Sequence, residues 1–178
     1  MEFVSVINTM LGILTVAGQI VVIGGIVLFV AKRKDALRFL GQHGILFSFA
    51  VALVATLGSL FYSEVAGYEP CKLCWLQRIF IYPQALLLGM ALWKKDRGIT
   101  DYSIVLSAVG ALIAGYHYLL QLGVAPSLPC AAVGYSVSCA QRFVMQFGYV
   151  TIPLMAFTAF LMILLFMISQ KLAGKELK

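Results

Sequence analysis

Two pairs of cysteines in this chain have the residue type and spacing for thiol–disulfide exchange. Cys71 and Cys74 form a Cys-x-x-Cys motif, which places two sulfurs close enough to bond, and Arg78 follows Cys74 by one helical turn. The remaining cysteines, Cys130 and Cys139, lie in a later loop. Because a thiolate can attack a disulfide and pass the bond to another pair of sulfurs, the pattern predicts a relay between the two pairs.

Ionisable residues near the first pair suggest what the relay serves. The start of a helix favours a thiolate, so Cys74 is the expected anion, with Arg78 on the same helical face. His117 is predicted at a similar depth on another helix, and an ionisable residue inside a membrane is by default a functional-site hypothesis. The alternatives are a snorkelling Arg78 and a His117 that only bonds a neighbouring helix. We expect a shared pocket, reached also by Gln77 and Gln121.

Composition decides the class of protein. The chain is 62% hydrophobic and 11% charged, and its mean hydropathy is +0.97. These values are typical of an integral membrane protein that contacts lipid. The formal net charge is +6, but the basic residues occur in short clusters between apolar runs. That pattern is typical of membrane topology and excludes nucleic-acid binding.

The apolar runs predict an all-α membrane protein with five transmembrane helices. The first run, residues 5–31, carries no charge and is long enough to cross a ~30 Å hydrocarbon core. A cleaved signal peptide is the alternative, but a basic cluster follows this run and none precedes it. The predicted spans are residues 5–31, 44–62, 75–93, 102–122 and 148–168.

These spans divide the chain into three parts. Residues 44–170 are expected to form a four-helix transmembrane bundle. Residues 1–43 supply one additional N-terminal transmembrane helix and a cytoplasmic loop, and residues 171–178 form a cytoplasmic tail.

The distribution of basic residues predicts the orientation in the cell membrane. Of the 13 Lys and Arg residues, only Lys72, Arg78 and Arg142 fall on the side that carries the cysteines. The positive-inside rule then places the amino terminus outside and the carboxyl terminus in the cytoplasm. All four cysteines therefore face an extracytoplasmic compartment, where disulfides persist.

The residues around the first pair resemble a known family. The run from Pro70 to Arg78, followed by Tyr82 and Pro83, closely resembles the disulfide bond formation protein B (DsbB) family, especially its shorter BdbC-type branch. The resemblance extends over roughly residues 44–170. Further matches are Tyr116-His117-Tyr118, Pro129-Cys130 and Gly148-Tyr149-Val150-Thr151-Ile152-Pro153.

The resemblance implies a quinone-dependent protein-disulfide oxidoreductase. In this family a DsbA-like thioredoxin-fold partner delivers electrons to the second-loop cysteines. By position, Cys130 forms the mixed disulfide with that partner, Cys139 exchanges with Cys71, and Cys74 passes electrons to ubiquinone or menaquinone. The resemblance places Arg78 and His117 near the quinone, and Gln77 of the shared pocket is the third expected quinone-binding residue.

Other classes remain open from the residues alone. Four cysteines also suit a zinc-binding or structural membrane protein, because paired cysteines are common zinc ligands. A vitamin K epoxide reductase-like protein is an alternative within redox chemistry, and a small transporter is a third class. The first span and the short spacing between Cys130 and Cys139 depart from the family pattern.

Overall fold

A computed structural model describes residues 2–125 and 138–176, and its fold is the predicted all-α membrane bundle with an additional N-terminal helix. A single π-helical turn, Phe61–Val65, extends the third helix. Within the described residues the only β pairing is an isolated bridge between Gln146 and Val150. The helices are α1 (Glu2–Val30), α2 (Lys34–Gln42), α3 (Gly44–Leu60), α4 (Lys72–Lys94), α5 (Ile99–Gln121) and α6 (Ile152–Glu176).

Four stretches of described helix are long and apolar enough to cross a membrane: Glu2–Val30, Gly44–Val65, Ile99–Gln121 and Ile152–Ala173. Helix α4, the predicted third span, has 23 residues, which is also sufficient at ~1.5 Å per residue. It is less apolar because it carries Gln77, Arg78 and Gln84, and all three are buried inside the protein. Its polar side chains are therefore directed at other helices.

The core of the bundle lies between α3, α4, α5 and α6. Leu88, Phe160, Ile163 and Met167 are fully buried there. A polar cluster lies among them: the amide oxygen of Gln84 accepts hydrogen bonds from two serines of α5, Ser103 at 2.7 Å and Ser107 at 3.0 Å. Buried polar groups in lipid-facing bundles need such internal partners.

Helix α1 packs on α6 through small residues. A Cβ atom at Gly18 would lie 2.7 Å from the Met162 sulfur, and one at Gly25 would lie 2.5 Å from Leu165. Gly24, on the other side of α1, has nothing within 4 Å of its Cβ position. Glycines thus allow α1 to approach α6 closely on one face only.

The first connection and the last helix differ most from the sequence prediction, and the last helix continues to Glu176, past the predicted end at residue 168. The predicted first cytoplasmic loop contains helix α2, which packs on α6 so closely that a Cβ at Gly41 would lie 2.6 Å from the Ser169 carbonyl oxygen. The last helix begins at Ile152, later than residue 148, because Phe147 and Gly148 adopt left-handed backbone angles. A left-handed pair of residues interrupts helical geometry.

Candidate functional site

Cys71 and Cys74 lie at the start of α4. Cys71 precedes the helix in an extended conformation, with φ −69° and ψ 172°. Cys74 occupies the first turn, and its sulfur lies 3.3 Å from the sulfur of Cys71. A disulfide bond is ~2.05 Å long. The two side chains therefore need only a small rotation to form one.

The environment of Cys71 keeps it protonated as a thiol. Its S–H donates a hydrogen bond to the Cys74 sulfur, and this bond, followed by burial, raises the pKa of Cys71 to about 12. His117 acts in the opposite direction but is outweighed. Within the reduced pair Cys71 is the hydrogen-bond donor and Cys74 is the acceptor.

His117 connects the first cysteine pair to the second loop. Its Nε2 lies 3.0 Å from the carbonyl oxygen of Cys139 and 3.7 Å from the Cys71 sulfur. Because a carbonyl only accepts, Nε2 carries the proton. In the neutral ring Nδ1 is then an acceptor, and it receives a hydrogen bond from the side-chain amide of Gln77 at 2.9 Å. His117 is 1% exposed, so both of its ring nitrogens are satisfied inside the protein.

The same contacts bring Cys139 to the first pair. Cys139 is buried in one cluster with Cys71 and Leu120, and Cys74 packs against that cluster. The shorter spacing of the second-loop cysteines therefore does not keep Cys139 away from Cys71. Cys130, the predicted contact for the partner, lies outside the described residues.

Arg142 and Phe143 hold the end of the second loop in place. The guanidinium of Arg142 donates from Nε (3.0 Å) and from Nη2 to the carbonyl oxygen of Gln121, the last residue of α5. The side-chain amide of Gln121 in turn donates to the carbonyl of Gln141 at 3.0 Å. The ring of Phe143 stacks on Tyr68 of the first loop, with centroids 5.0 Å apart. The segment between α3 and α4 and the end of the segment between α5 and α6 are thereby joined next to the cysteines.

Arg78 is directed towards α3. Its Nε donates to the hydroxyl of Ser59 and its Nη2 to the carbonyl of the same residue, both at 3.0 Å. Tyr82 donates to the Ser59 hydroxyl at 3.1 Å, and its ring lies 5.9 Å from the guanidinium. The ring of Trp75 lies 5.1 Å from the guanidinium on the other side. A mere snorkelling arginine would have its head in water, whereas Arg78 is only 9% exposed.

Sequence reasoning placed neither Ser59 nor Tyr82 in the candidate site. The spacing of Tyr82, four residues after Arg78, was a usable signal because such pairs share a helical face. Ser59 belongs to another helix, and nothing in its sequence surroundings pairs it with Arg78.

A cavity of about 330 Å³ begins at these residues and extends into the bundle. This volume is in the range of small-ligand sites, which are mainly apolar with a few polar groups. Apolar residues of α3 and α6 form a large part of the lining. The polar lining residues near the start of α4 and the end of α5 are Cys71, Cys74, Gln77, Arg78, His117 and Gln121.

The structure thus gathers the described residues of the predicted site with one difference in grouping. A chain of contacts joins Cys74 to Cys71, Cys71 to His117 and His117 to Gln77. Arg78 lines the same cavity but bonds α3. Cys71, Cys74 and His117 also have ligand atoms within 4.8 Å of one another, which is a spacing that a metal ion can use.

Comparisons with known proteins agree with this arrangement. The family model described as "Disulfide bond formation protein DsbB" matches residues 41–170. The chain is 44% identical over 122 residues to "Probable disulfide formation protein C" of Bacillus cereus, covering 68% of this chain and 87% of that protein. It is 41% identical over 122 residues to "Disulfide bond formation protein C" of Bacillus subtilis, covering 67% of this chain and 86% of that protein. No solved structure matches the chain significantly.

Proposed function

Because the chain belongs to the DsbB family of disulfide bond formation proteins, we propose that it reoxidises an extracytoplasmic, DsbA-like thioredoxin-fold dithiol protein and passes the electrons to a membrane quinone. The observation that carries this proposal is the contact of His117 with both Cys71 and the backbone of Cys139, at the polar end of an apolar cavity. That contact supports a site that contains the first cysteine pair and Cys139 of the second pair.

In the proposed relay, a partner thiolate attacks Cys130 of the Cys130–Cys139 disulfide and releases Cys139 as a thiolate. Cys139 then attacks Cys71 of the Cys71–Cys74 disulfide and releases Cys74. The second partner thiol resolves the mixed disulfide, and Cys130 regains its bond to Cys139 by displacing Cys71. The partner has lost two electrons and two protons, and the Cys71 and Cys74 pair is reduced.

Burial of Cys139 beside Cys71 supports the second step. In the reduced pair the Cys71 S–H donates to the Cys74 sulfur, but Cys71 has no proton to donate while it is bonded to Cys139. The negative charge on the leaving Cys74 sulfur is therefore stabilised by other groups. The positive end of α4 and the guanidinium of Arg78 stabilise the same charge.

The donor set and shape of the cavity fit a quinone. A guanidinium has five N–H groups, and the hydrogen bonds of Arg78 to Ser59 use two of them, so N–H groups remain for a carbonyl oxygen. The amide oxygen of Gln121 is buried and has no partner among the described residues, so it can accept from a hydroxyl. When bound, a quinone accepts the two electrons and two protons of the Cys71 and Cys74 dithiol. The lining from α1, α3 and α6 is mainly apolar, as a ring and an apolar tail require.

Purified protein, a reduced thioredoxin-fold dithiol partner and either ubiquinone or menaquinone provide the test. We expect quinone reduction that requires the partner. Cys74→Ser should abolish this reduction and still trap the partner as a mixed disulfide at Cys130, which also shows that the variant is folded. No turnover with either quinone would refute the proposed function.

Arg78→His separates the quinone site from the thiol relay. We expect it to weaken quinone use more than partner trapping, because its contacts lie on the α3 side of the cavity and away from Cys139. Equal losses would indicate that Arg78 only holds α4 in place.

A metal site is the second candidate, since Cys71, Cys74 and His117 offer three closely spaced ligand atoms. Both nitrogens of His117 already have hydrogen-bond partners, so binding would require His117 to release Cys139. Metal analysis of the purified protein decides between the two. One tightly bound zinc per chain, lost on alkylation of the cysteines, would favour the metal site over the relay.

A further inference from the structure

We propose that helix α1 forms one side of a lateral opening between α1 and α3, through which the apolar tail of the quinone leaves the cavity for the lipid. This inference rests on the proposed quinone-linked function. Helix α1 lies outside the family match at residues 41–170, so the bundle shared with the relatives does not contain this side of the cavity.

The lining of the cavity is the first observation. Three residues of α1 line it, Leu11, Leu14 and Thr15, together with residues of α3 that include Ala50 and Val54. The contribution of α1 is apolar apart from the Thr15 hydroxyl, which donates to the carbonyl of Leu11 in its own helix at 2.7 Å. This side of the cavity therefore offers no unsatisfied polar group to a ligand head and suits a hydrocarbon.

Exposure of lining residues locates the opening. Leu14 is 53% exposed and Val54 is 45% exposed, although both line the cavity. A residue can line the cavity and also be exposed only at a rim, where the cavity meets the surface of the protein. Leu14 and Val54 thus mark opposite rims, one on α1 and one on α3.

The packing of α1 explains why a gap exists there. Its close contacts are with α6, at Gly18 and Gly25. Towards α3, the Phe3 ring meets the Phe61 ring at 5.9 Å, and Leu11 lies 3.4 Å from a Cβ position at Gly58. These contacts close the outer end of the gap and leave it open beyond Leu11.

The depth of the opening identifies the part of the ligand that fits. At 1.5 Å per residue, Leu14 lies ~18 Å along α1 from Glu2, and Val54 lies ~17 Å along α3 and its π turn from Val65. Both rims are near the middle of a ~30 Å hydrocarbon core. Val54 is also ~8 Å along α3 from Ser59, the partner of Arg78. A head group held near Arg78 therefore has a short apolar route to the lipid.

Substitutions at the two rims test the opening. Leu14→Phe and Val54→Phe narrow it, and Ile13→Phe and Leu53→Phe are matched controls at exposed neighbours that are not among the lining residues. Binding is measured by quinone quenching of Trp75 fluorescence in a Trp93→Phe background, because Trp75 lies beside Arg78. Each variant is titrated with a long-tail quinone and with a tailless quinone of the same ring.

We expect both rim variants to raise the Kd of the long-tail quinone at least tenfold and to change the Kd of the tailless quinone less than twofold. The control variants Ile13→Phe and Leu53→Phe should leave the Kd of both quinones unchanged. The inference is overturned if the rim variants raise the Kd of both quinones by the same factor. It is also overturned if the rim variants bind the long-tail quinone with the wild-type Kd, as they would if the opening held only a phospholipid chain. Failure of the proposed function looks different, because then the wild type binds neither quinone.

Discussion

The hydrogen bonds of His117 define what that residue does for the site. With Nε2–H directed at the Cys139 carbonyl and Nδ1 accepting from Gln77, the ring is held as one neutral tautomer. A histidine with both ring nitrogens bonded in this way fixes the positions of the groups that it contacts. In the proposed relay it acts as a positioning residue that holds the backbone of Cys139 beside Cys71.

The hydrogen bond from Cys71 to Cys74 leads to a prediction about thiol reactivity. It is the largest cause of the raised pKa of Cys71, so Cys74→Ala should lower that pKa towards the ordinary value. Alkylation requires the thiolate, and each unit of pKa changes the thiolate fraction tenfold at pH 8. We expect reduced Cys74→Ala protein to be alkylated at Cys71 about tenfold faster than reduced wild type, as followed by mass spectrometry.

Cys74→Ser is the matched control, because its hydroxyl can still accept the bond from Cys71. It should accelerate alkylation less than Cys74→Ala does. Identical rates in wild type and Cys74→Ala would show that the bond does not control Cys71.

At the level of secondary-structure elements, Arg142 links the second loop to α5. The last carbonyls of a helix lack intrahelical partners, and Arg142 supplies two donors to one of them at Gln121. Arg142→Ala should lose about 1 kcal/mol of local stability, since the residue is exposed and the bond is charge-assisted. Hydrogen exchange of residues 138–146 should then be about fivefold faster.

Gln141→Ala is the control for that measurement, because Gln121 binds the backbone carbonyl of Gln141 and that group survives the change. Unchanged exchange in Arg142→Ala would mean that the stacking of Phe143 on Tyr68 alone holds the loop.

Helix α2 depends on a glycine for its contact with α6. A Cβ at Gly41 would collide with the Ser169 carbonyl, which is backbone and cannot move aside cheaply. Gly41→Ala should therefore destabilise the protein by about 1–3 kcal/mol through overpacking. Thermal unfolding in detergent measures this loss.

Gly24→Ala provides the comparison, since nothing lies within 4 Å of its Cβ position. Alanine favours a helix more than glycine does, so this variant should be neutral or slightly more stable. Equal thermal unfolding midpoints for Gly41→Ala and Gly24→Ala would contradict the close packing of α2 on α6.

The sequence could predict the spans and the cysteine, histidine and arginine residues of the site, but not all of their partners. Long apolar runs set the number of helices, and depth along each run placed His117 near Arg78. The rotation of each helix about its own axis is set by packing across the bundle. The pairing of Arg78 with Ser59 therefore had no signature in sequence. Helix α2 was missed because it is short and charged, and its stability comes from α6.

For the whole molecule, the structure clarifies the charge pattern that predicts orientation. Among the basic residues on the cysteine side, Arg78 bonds Ser59 and Arg142 bonds Gln121. Their positions are explained by the site, so they do not weigh against the positive-inside rule. The remaining ten Lys and Arg residues fall in the segments of the sequence on the other side of the predicted spans, so the positive-inside rule predicts that the cysteines lie outside the cytoplasm.

Labelling of intact cells with a membrane-impermeant maleimide tests this orientation. In a background with all four native cysteines replaced by serine, Glu64→Cys should be labelled and Lys94→Cys should not, although both positions are exposed. Permeabilised cells are the control, in which both should react equally. Labelling of Lys94→Cys alone in intact cells would place the cysteine pairs in the cytoplasm. Because reducing conditions there keep thiols reduced, that result would rule out the proposed extracytoplasmic partner.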